Sequence, residues 1–308
     1  MKKPDLSVDI GKLRLKNPVT VASGTFGYAE EFKDFMDLKR LGAIVTKTVT
    51  VKPRKGNPPP RTCETPSGLL NSIGLENPGI DAFITDKVPF LEKLGIPVIM
   101  SIASEGDPVD FVELAEKAGN VDAVSAVEIN ISCPNVSGKG RCKLVSQDPE
   151  RAAEIVRLVR KATTKPVITK LSPNVTDITE IALAAQEAGS DALSLINTLT
   201  GMAVDIDSRR PKLANITGGL SGPAVRPVAV RMTWEVCGKV KIPVIAMGGI
   251  TDWRDAVELI ICGATMVCAG TVNFTEPSAA TGILDGIQDY MARKGIPDLK
   301  ALRGTVRI

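Results

Sequence analysis

Short β-branched apolar runs recur along the chain, at residues 18–23, 43–48, 97–102, 126–132, 166–171, 192–197, 243–247 and 265–269. Each ends in a polar or glycine cluster, and most are followed by a stretch of helical periodicity. Helices are expected at 29–41, 80–94, 108–118, 149–161, 176–188 and 252–262, with two more at 224–236 and 277–294. Local signals set several ends. Asp107 and Asp148 stand as N-caps before a proline in the first helical position, and Gly189 and Gly263 stand as stops. Near-continuous apolar strands that alternate with helices mean a parallel sheet covered by those helices. Eight such units predict an α/β fold of the (β/α)8 TIM barrel type in preference to a doubly wound sheet.

Three connections are long: KPRKGNPPPR with NSIGLEN after the second strand, PNVSGKGRCKLVSQ after the fourth, and residues 199–223 after the sixth. Long loops in a compact domain are usually lids or binding loops. No segment is linker-like, so residues 1–308 are expected to form one domain.

Composition narrows the chemistry. The chain has 308 residues and no histidine. That removes a Ser-His-Asp or Cys-His pair, a histidine-ligated metal and an imidazole base. Proton transfer must fall to Cys, Lys, Asp, Glu, Tyr or water. A net charge of +3 and 4% aromatic residues argue against a nucleic-acid or membrane partner. The opening MKKPDLSVDIG has no apolar core behind its lysines, so no secretory signal is expected. The longest apolar stretch, 259–272, is interrupted by Gly263, Thr265 and Gly270 and is too short to span a bilayer. Six cysteines without a CxxC pair predict free thiols in a reducing cytoplasm.

In a barrel of this type the active site lies at the C-terminal ends of the strands. Those positions carry Ser23, Lys47 with Thr48, Asn130 with Cys133, Lys170, Asn197 with Thr198, Gly248 with Gly249, and Gly270 with Thr271. The glycine loops after the seventh and eighth strands, with Gly222, suit a phosphate; the plainer alternative is that they only end tight strands. Lys47 and Lys170 end matching strands, where a lysine is costly unless it meets an anion, although most lysines reach solvent instead. Cys237, Cys262 and Cys268 sit in apolar runs and read as core. Cys133 follows Ser132 and precedes Pro134 and Asn135 at the fourth strand's mouth, and is a candidate base or nucleophile. Cys142, nearby, reads as incidental. Asn71, Asn130, Asn135 and Asn197 offer donors and acceptors for a small planar ligand, or serve as ordinary turn residues. The basic, proline-rich segment 52–61 reads as a solvated loop beside the mouth.

Taken together, LKNPVTVASGTFG, VTKTVT, GNPPPR, LLNSIGLENPG, EINISCPNV, ITKLSPNVTD, INTLTGM, GGLSGPAVRP, IAMGGI and CGATMVCAGT resemble the class 1 dihydroorotate dehydrogenases of pyrimidine biosynthesis, over nearly the whole chain. The resemblance implies an FMN-binding barrel that oxidises (S)-dihydroorotate to orotate. It implies Cys133 as the base at carbon five, with hydride passing from carbon six to FMN. Substrate contacts would come from Lys47, Asn71, Ser72, Ile73, Gly74, Leu75, Asn130, Asn197 and Thr198. FMN would be held by Ser23, Lys47, Thr48, Ser101, Asn130, Lys170, Ile196, Gly222, Gly248, Gly249, Gly270 and Thr271. Ser101 stands where the family often carries an asparagine.

The stretches SVDIGKLRLKNPV, FGYAEEF and NTLTGM look more like the NAD-linked two-subunit class than the fumarate-reducing homodimer. That implies a cytoplasmic homodimer core flanked by partner subunits, a heterotetramer whose partner carries FAD and a 2Fe–2S cluster. This chain has no clustered cysteines for a cluster of its own. Three other readings are open to test: an FMN barrel acting on a related pyrimidine, a flavin-free isomerase or aldolase using Lys47 or Lys170 as a Schiff base, and a non-catalytic scaffold for a redox partner.

Overall fold

The computed structural model describes residues 3–104, 107–131 and 145–308. Eight parallel strands form where the apolar runs predict them: β1 (Val19–Val21), β2 (Ile44–Val45), β3 (Val98–Ile102), β4 (Val124–Asn130), β5 (Val167–Lys170), β6 (Ala192–Leu195), β7 (Val244–Met247) and β8 (Met266–Ala269). Each pairs in parallel with its successor from β2 to β8, and β8 pairs with β1. The last seam, β1 to β2, is joined by the Gly42 N–H donating to the Val19 carbonyl at 2.9 Å. Thr20 Oγ1 donates to the Ala43 carbonyl beside it, also at 2.9 Å. A Cβ on Gly42 would lie 2.1 Å from the Asn17 carbonyl oxygen, so this approach needs glycine. The architecture is a (β/α)8 TIM barrel.

The helices around it are α1 (residues 80–94), α2 (Pro108–Gly119), α3 (Pro149–Ala162), α4 (Ile178–Glu187), α5 (Arg226–Cys237), α6 (Trp253–Ile261) and α7 (Ala279–Lys294). Within α1, a π-helical segment Phe83–Lys87 separates Ile80–Ala82 from Val88–Leu94. Side chains cap the N-termini as the sequence predicts: Asp107 accepts from the Val109 N–H, and Asp148 from the Glu150 and Arg151 N–H groups. Each such cap contributes about 1 kcal/mol. The inner faces, including Leu114 and Ala118 of α2 and Val156 and Val159 of α3, are buried.

The expected helix at 29–41 is instead two 3-10 turns, Glu30–Phe32 and Leu38–Arg40. Asp37 takes the Lys39 N–H with its own side chain, and Ala29 adopts a left-handed φ of 74°. A short acidic side chain that captures a nearby N–H competes with the helical ladder.

Two further β structures close the ends. Leu199–Met202, Thr217–Ser221, Gly68–Asn71 and Thr62–Thr65 form a four-stranded antiparallel sheet beyond the C-terminal ends of the barrel strands. It is built from the long connections after β2 and β6. At the other end, a hairpin of Val8–Ile10 and Leu13–Leu15 buries Ile10 and Leu15. Its turn residue Gly11, at φ 55°, packs on Asp191 just before β6. Among the described residues no helix is long and apolar enough to cross a membrane.

Candidate active site

Strand pleating decides what reaches the mouth. Residues two apart on a strand share a face, so β4 carries Glu128 and Asn130 toward the same side. Asn130 is buried and donates through Nδ2 to Thr48 Oγ1 at 3.5 Å. Thr48 Oγ1 lies 3.0 Å from Ser101 Oγ, so Thr48, Ser101 and Asn130 form one polar group across β2, β3 and β4. Ser101 therefore joins this polar group as a small hydroxyl. Lys170, at the end of β5, has a side chain only 6% exposed, and its Nζ lies 3.9 Å from Glu128 Oε1. Lys47 follows β2, with its N–H donating to the Gly27 carbonyl at 2.8 Å. Ser23 is buried just past β1.

The glycine positions converge. The Ile196 N–H donates to the Met247 carbonyl at 2.9 Å, which sets residue 196 beside the start of the loop after β7. A Cβ on Gly248 would lie 2.8 Å from Ala229 Cβ, and one on Gly249 would lie 2.5 Å from Arg226 Cβ. Both have positive φ, 127° and 75°. Glycine thus lets this loop lie directly on α5. Thr271 Oγ1 donates to Ser221 Oγ at 2.8 Å, which draws Gly270 and Thr271 toward Gly222. The result is glycine backbone drawn from three loops, with Gly222, Gly248 and Gly249 each too closely approached to carry a side chain, a form suited to an anion.

The segment 71–75 lies beside the mouth. Asn71 Nδ2 donates to the Gly219 carbonyl at 3.3 Å, and a Cβ on Gly219 would lie 2.0 Å from Thr198 Oγ1. Asn71 and Thr198, 127 positions apart in sequence, are thereby brought together. Asn197 Oδ1 accepts from the Thr198 N–H at 2.9 Å. Ser72, Ile73, Gly74 and Leu75 turn tightly, with φ 78° at Gly74 and 58° at Leu75. Ser72 Oγ is buried without a hydrogen-bond partner among the described residues. Cys133 lies outside the described residues.

A family model described as dihydroorotate dehydrogenase matches residues 5–291. The chain belongs to the dihydroorotate dehydrogenase family. It is 54% identical over 309 residues to the protein named dihydroorotate dehydrogenase B (NAD(+)), catalytic subunit, of Geotalea daltonii, covering 100% of both chains. Identity and coverage are the same for the protein of that name from Geobacter sulfurreducens. In fold it is similar to the crystal structure of DHODH in complex with ferulenol from Eimeria tenella, with a TM-score of 0.80 and 24% identity over 98% of this chain and 88% of that one.

Several site residues of this dihydroorotate dehydrogenase chain escape motif reading. Glu128 and Ser194 line the barrel beneath Lys170, with Ser194 Oγ donating to Glu128 Oε2 at 2.9 Å. A lone acid inside the apolar run VSAVEIN, two residues before Asn130, is the signal that marks it. Asn57 braces the 71–75 turn: its Nδ2 donates to the Ser72 carbonyl at 2.8 Å and its N–H to the Ile73 carbonyl at 2.9 Å. Asn174 holds the other side, donating to the Thr198 carbonyl at 2.9 Å and accepting from the Thr200 N–H at 2.8 Å. Both asparagines resemble ordinary turn residues in sequence, so only tertiary pairing distinguishes them.

Proposed function

We propose that this chain oxidises (S)-dihydroorotate to orotate in pyrimidine biosynthesis, as a single FMN-binding barrel domain spanning residues 1–308. The reading is carried by one observation: segments 71–75 and 197–198, distant in sequence, meet through Gly219, while the buried Asn130 and Lys170 pair across β4 and β5 at the ends of their strands. Full-length identity to relatives named as NAD(+)-linked catalytic subunits supports the same conclusion.

The residues fit FMN. The glycine backbone at Gly222, Gly248, Gly249 and Gly270, with the Thr271 hydroxyl, suits its phosphate. A buried Lys170 ammonium across the strands from Asn130, with the Thr48, Ser101 and Asn130 polar group and Ile196, suits a polar, electron-accepting ring. Ser23 and Lys47 complete that set. When bound, FMN supplies the acceptor for the hydride from carbon six.

The chain supplies the rest. Cys133 Sγ takes the proton from carbon five. Asn71, Asn130, Asn197 and Thr198 present amides and hydroxyl to the edges of the substrate ring. The N–H groups of Ile73, Gly74 and Leu75 and the Ser72 hydroxyl, unpartnered among the described residues, suit its carboxylate, with Lys47 adding charge, while the Ser72 N–H is held by the Arg61 carbonyl.

A partner iron–sulfur flavoprotein subunit, docked on a cytoplasmic homodimer of this chain, would hold FAD and a 2Fe–2S cluster and would supply the route for electrons to NAD. The test is anaerobic reduction by dihydroorotate, followed by an oxidant. NAD reduction is expected only after the partner subunit is added, with no turnover on fumarate. Rapid turnover of the isolated chain with fumarate would contradict the NAD-linked assignment.

A further inference from the structure

Glu128 is an anomaly in the barrel interior. It stands on β4 opposite Ser101 of β3 and Ile168 of β5, and its side chain is 2% exposed. One carboxylate oxygen is met by Ser194 Oγ of β6 at 2.9 Å. The other, Oε1, has no hydrogen-bond partner among the described residues and lies 3.9 Å from Lys170 Nζ. A buried carboxylate with an unmet acceptor is costly, and an apolar residue would pack the same place without that cost. Cys268 of β8 lies near both groups, but burial pushes its thiol up, so it adds no charge. The floor of the mouth therefore holds one negative and one positive charge, both buried.

We propose that Glu128 is a positioning residue, which anchors the Lys170 ammonium beneath the mouth and sets the field felt by the group bound there. This rests on the FMN reading of the site. The carboxylate offsets part of the lysine's charge, so the pair restrains how strongly the site favours extra electrons on its ligand. Ser194 acts through Glu128 by donating to its far oxygen.

The test is the reduction potential of bound FMN in the full-length chain, after flavin content is measured by absorbance. Glu128→Gln removes one negative charge while Ser194 can still donate to the amide oxygen. It is expected to raise the reduced-to-oxidised ratio about tenfold at the potential that half-reduces the wild type, or about 30 mV for a two-electron couple. Ser194→Ala keeps the charge but strips a favourable dipole from it, and is expected to shift the ratio the other way, by less. Glu128→Asp, which restores the charge, should return most of the wild-type value. A purely structural Glu128 would lower flavin content or melting temperature and leave the potential unmoved. Flavin-loaded variants with the wild-type potential overturn the proposal. Should Glu128→Gln bind no flavin, an unmoved potential in Ser194→Ala overturns it equally. A wild-type chain that binds no FMN overturns the underlying reading, a result distinct from an unmoved potential.

Discussion

At the N-terminal end of the barrel, half-buried polar groups are matched to one another. Asp191 Oδ2 accepts from Arg160 Nη1 at 2.6 Å and from the Val167 N–H at 2.8 Å. Arg160 also donates to the Lys165 carbonyl at 2.8 Å, and Lys165 Nζ donates to the Val124 carbonyl at 2.6 Å. Burial holds the Lys165 ammonium below its usual range, yet the Val121 and Val124 carbonyls accept from it. At the C-terminal end, Ser72 Oγ, Glu128 Oε1 and Asn273 Oδ1 are buried without hydrogen-bond partners among the described residues. Similar polar chemistry is completed by the fold at one end and left incomplete at the other. Unmet buried acceptors cost stability, so the mouth carries a burden that the base does not.

Substitutions at the two ends should therefore fail differently. The largest effect is expected from Cys133→Ala, which removes the proposed base. Dihydroorotate oxidation should fall by about 10²- to 10⁴-fold, with flavin content and melting temperature held, as read by stopped-flow reduction and thermal unfolding. Next is Gly249→Ala. Its Cβ would lie 2.5 Å from Arg226 Cβ, at a φ of 75°. Overpacking of about 1–3 kcal/mol would weaken FMN binding about 5- to 150-fold, measured by flavin release on dilution.

At the base, Asp191→Ala should cost about 1–3 kcal/mol in denaturant unfolding and leave kcat/KM of the folded enzyme unchanged. A drop in kcat/KM would break the contrast between the ends. Asn57→Ala removes the brace on the Ser72 carbonyl and should raise KM for dihydroorotate about fivefold, the equivalent of about 1 kcal/mol, with kcat nearly constant.

The smallest effect concerns alkylation. Burial pushes the Cys237 thiol up to about 12 and raises Cys262 and Cys268 as well. At pH 8 only about one part in 10⁴ of Cys237 is thiolate, so it should resist iodoacetamide. As pH rises toward 12 that resistance should fade. Peptide mapping at pH 8 should find Cys133 labelled ahead of these three, and orotate should slow its labelling.

Much of this is legible in the sequence. The eight apolar runs became the eight barrel strands because a parallel strand, buried on both faces, needs a continuous apolar sequence. Lys170, Asn130, Ser101 and the glycine loops occupy strand ends because the topology puts every such end at one mouth. What stayed hidden was non-local. The sheet over the mouth pairs Gly219 with Asn71, and no periodicity within either segment announces a partner 148 positions away. Asn57 and Asn174 gain their roles only from that assembly. The helix expected at 29–41 failed for the local reason that Asp37 spends its side chain on the Lys39 N–H. Glu128 was visible as a charge in an apolar strand, but its meaning depends on Lys170 and Ser194 arriving from two other strands.

The central claim is that the incomplete end of the barrel is completed by a flavin and a dihydroorotate together. Anaerobic titration of the purified, flavin-containing chain with dihydroorotate, followed by visible absorbance, tests it most directly. The account predicts bleaching of about one flavin per chain in the wild type and none on the same timescale in Cys133→Ala. A colourless protein, or a flavin that stays oxidised under excess dihydroorotate, would contradict it.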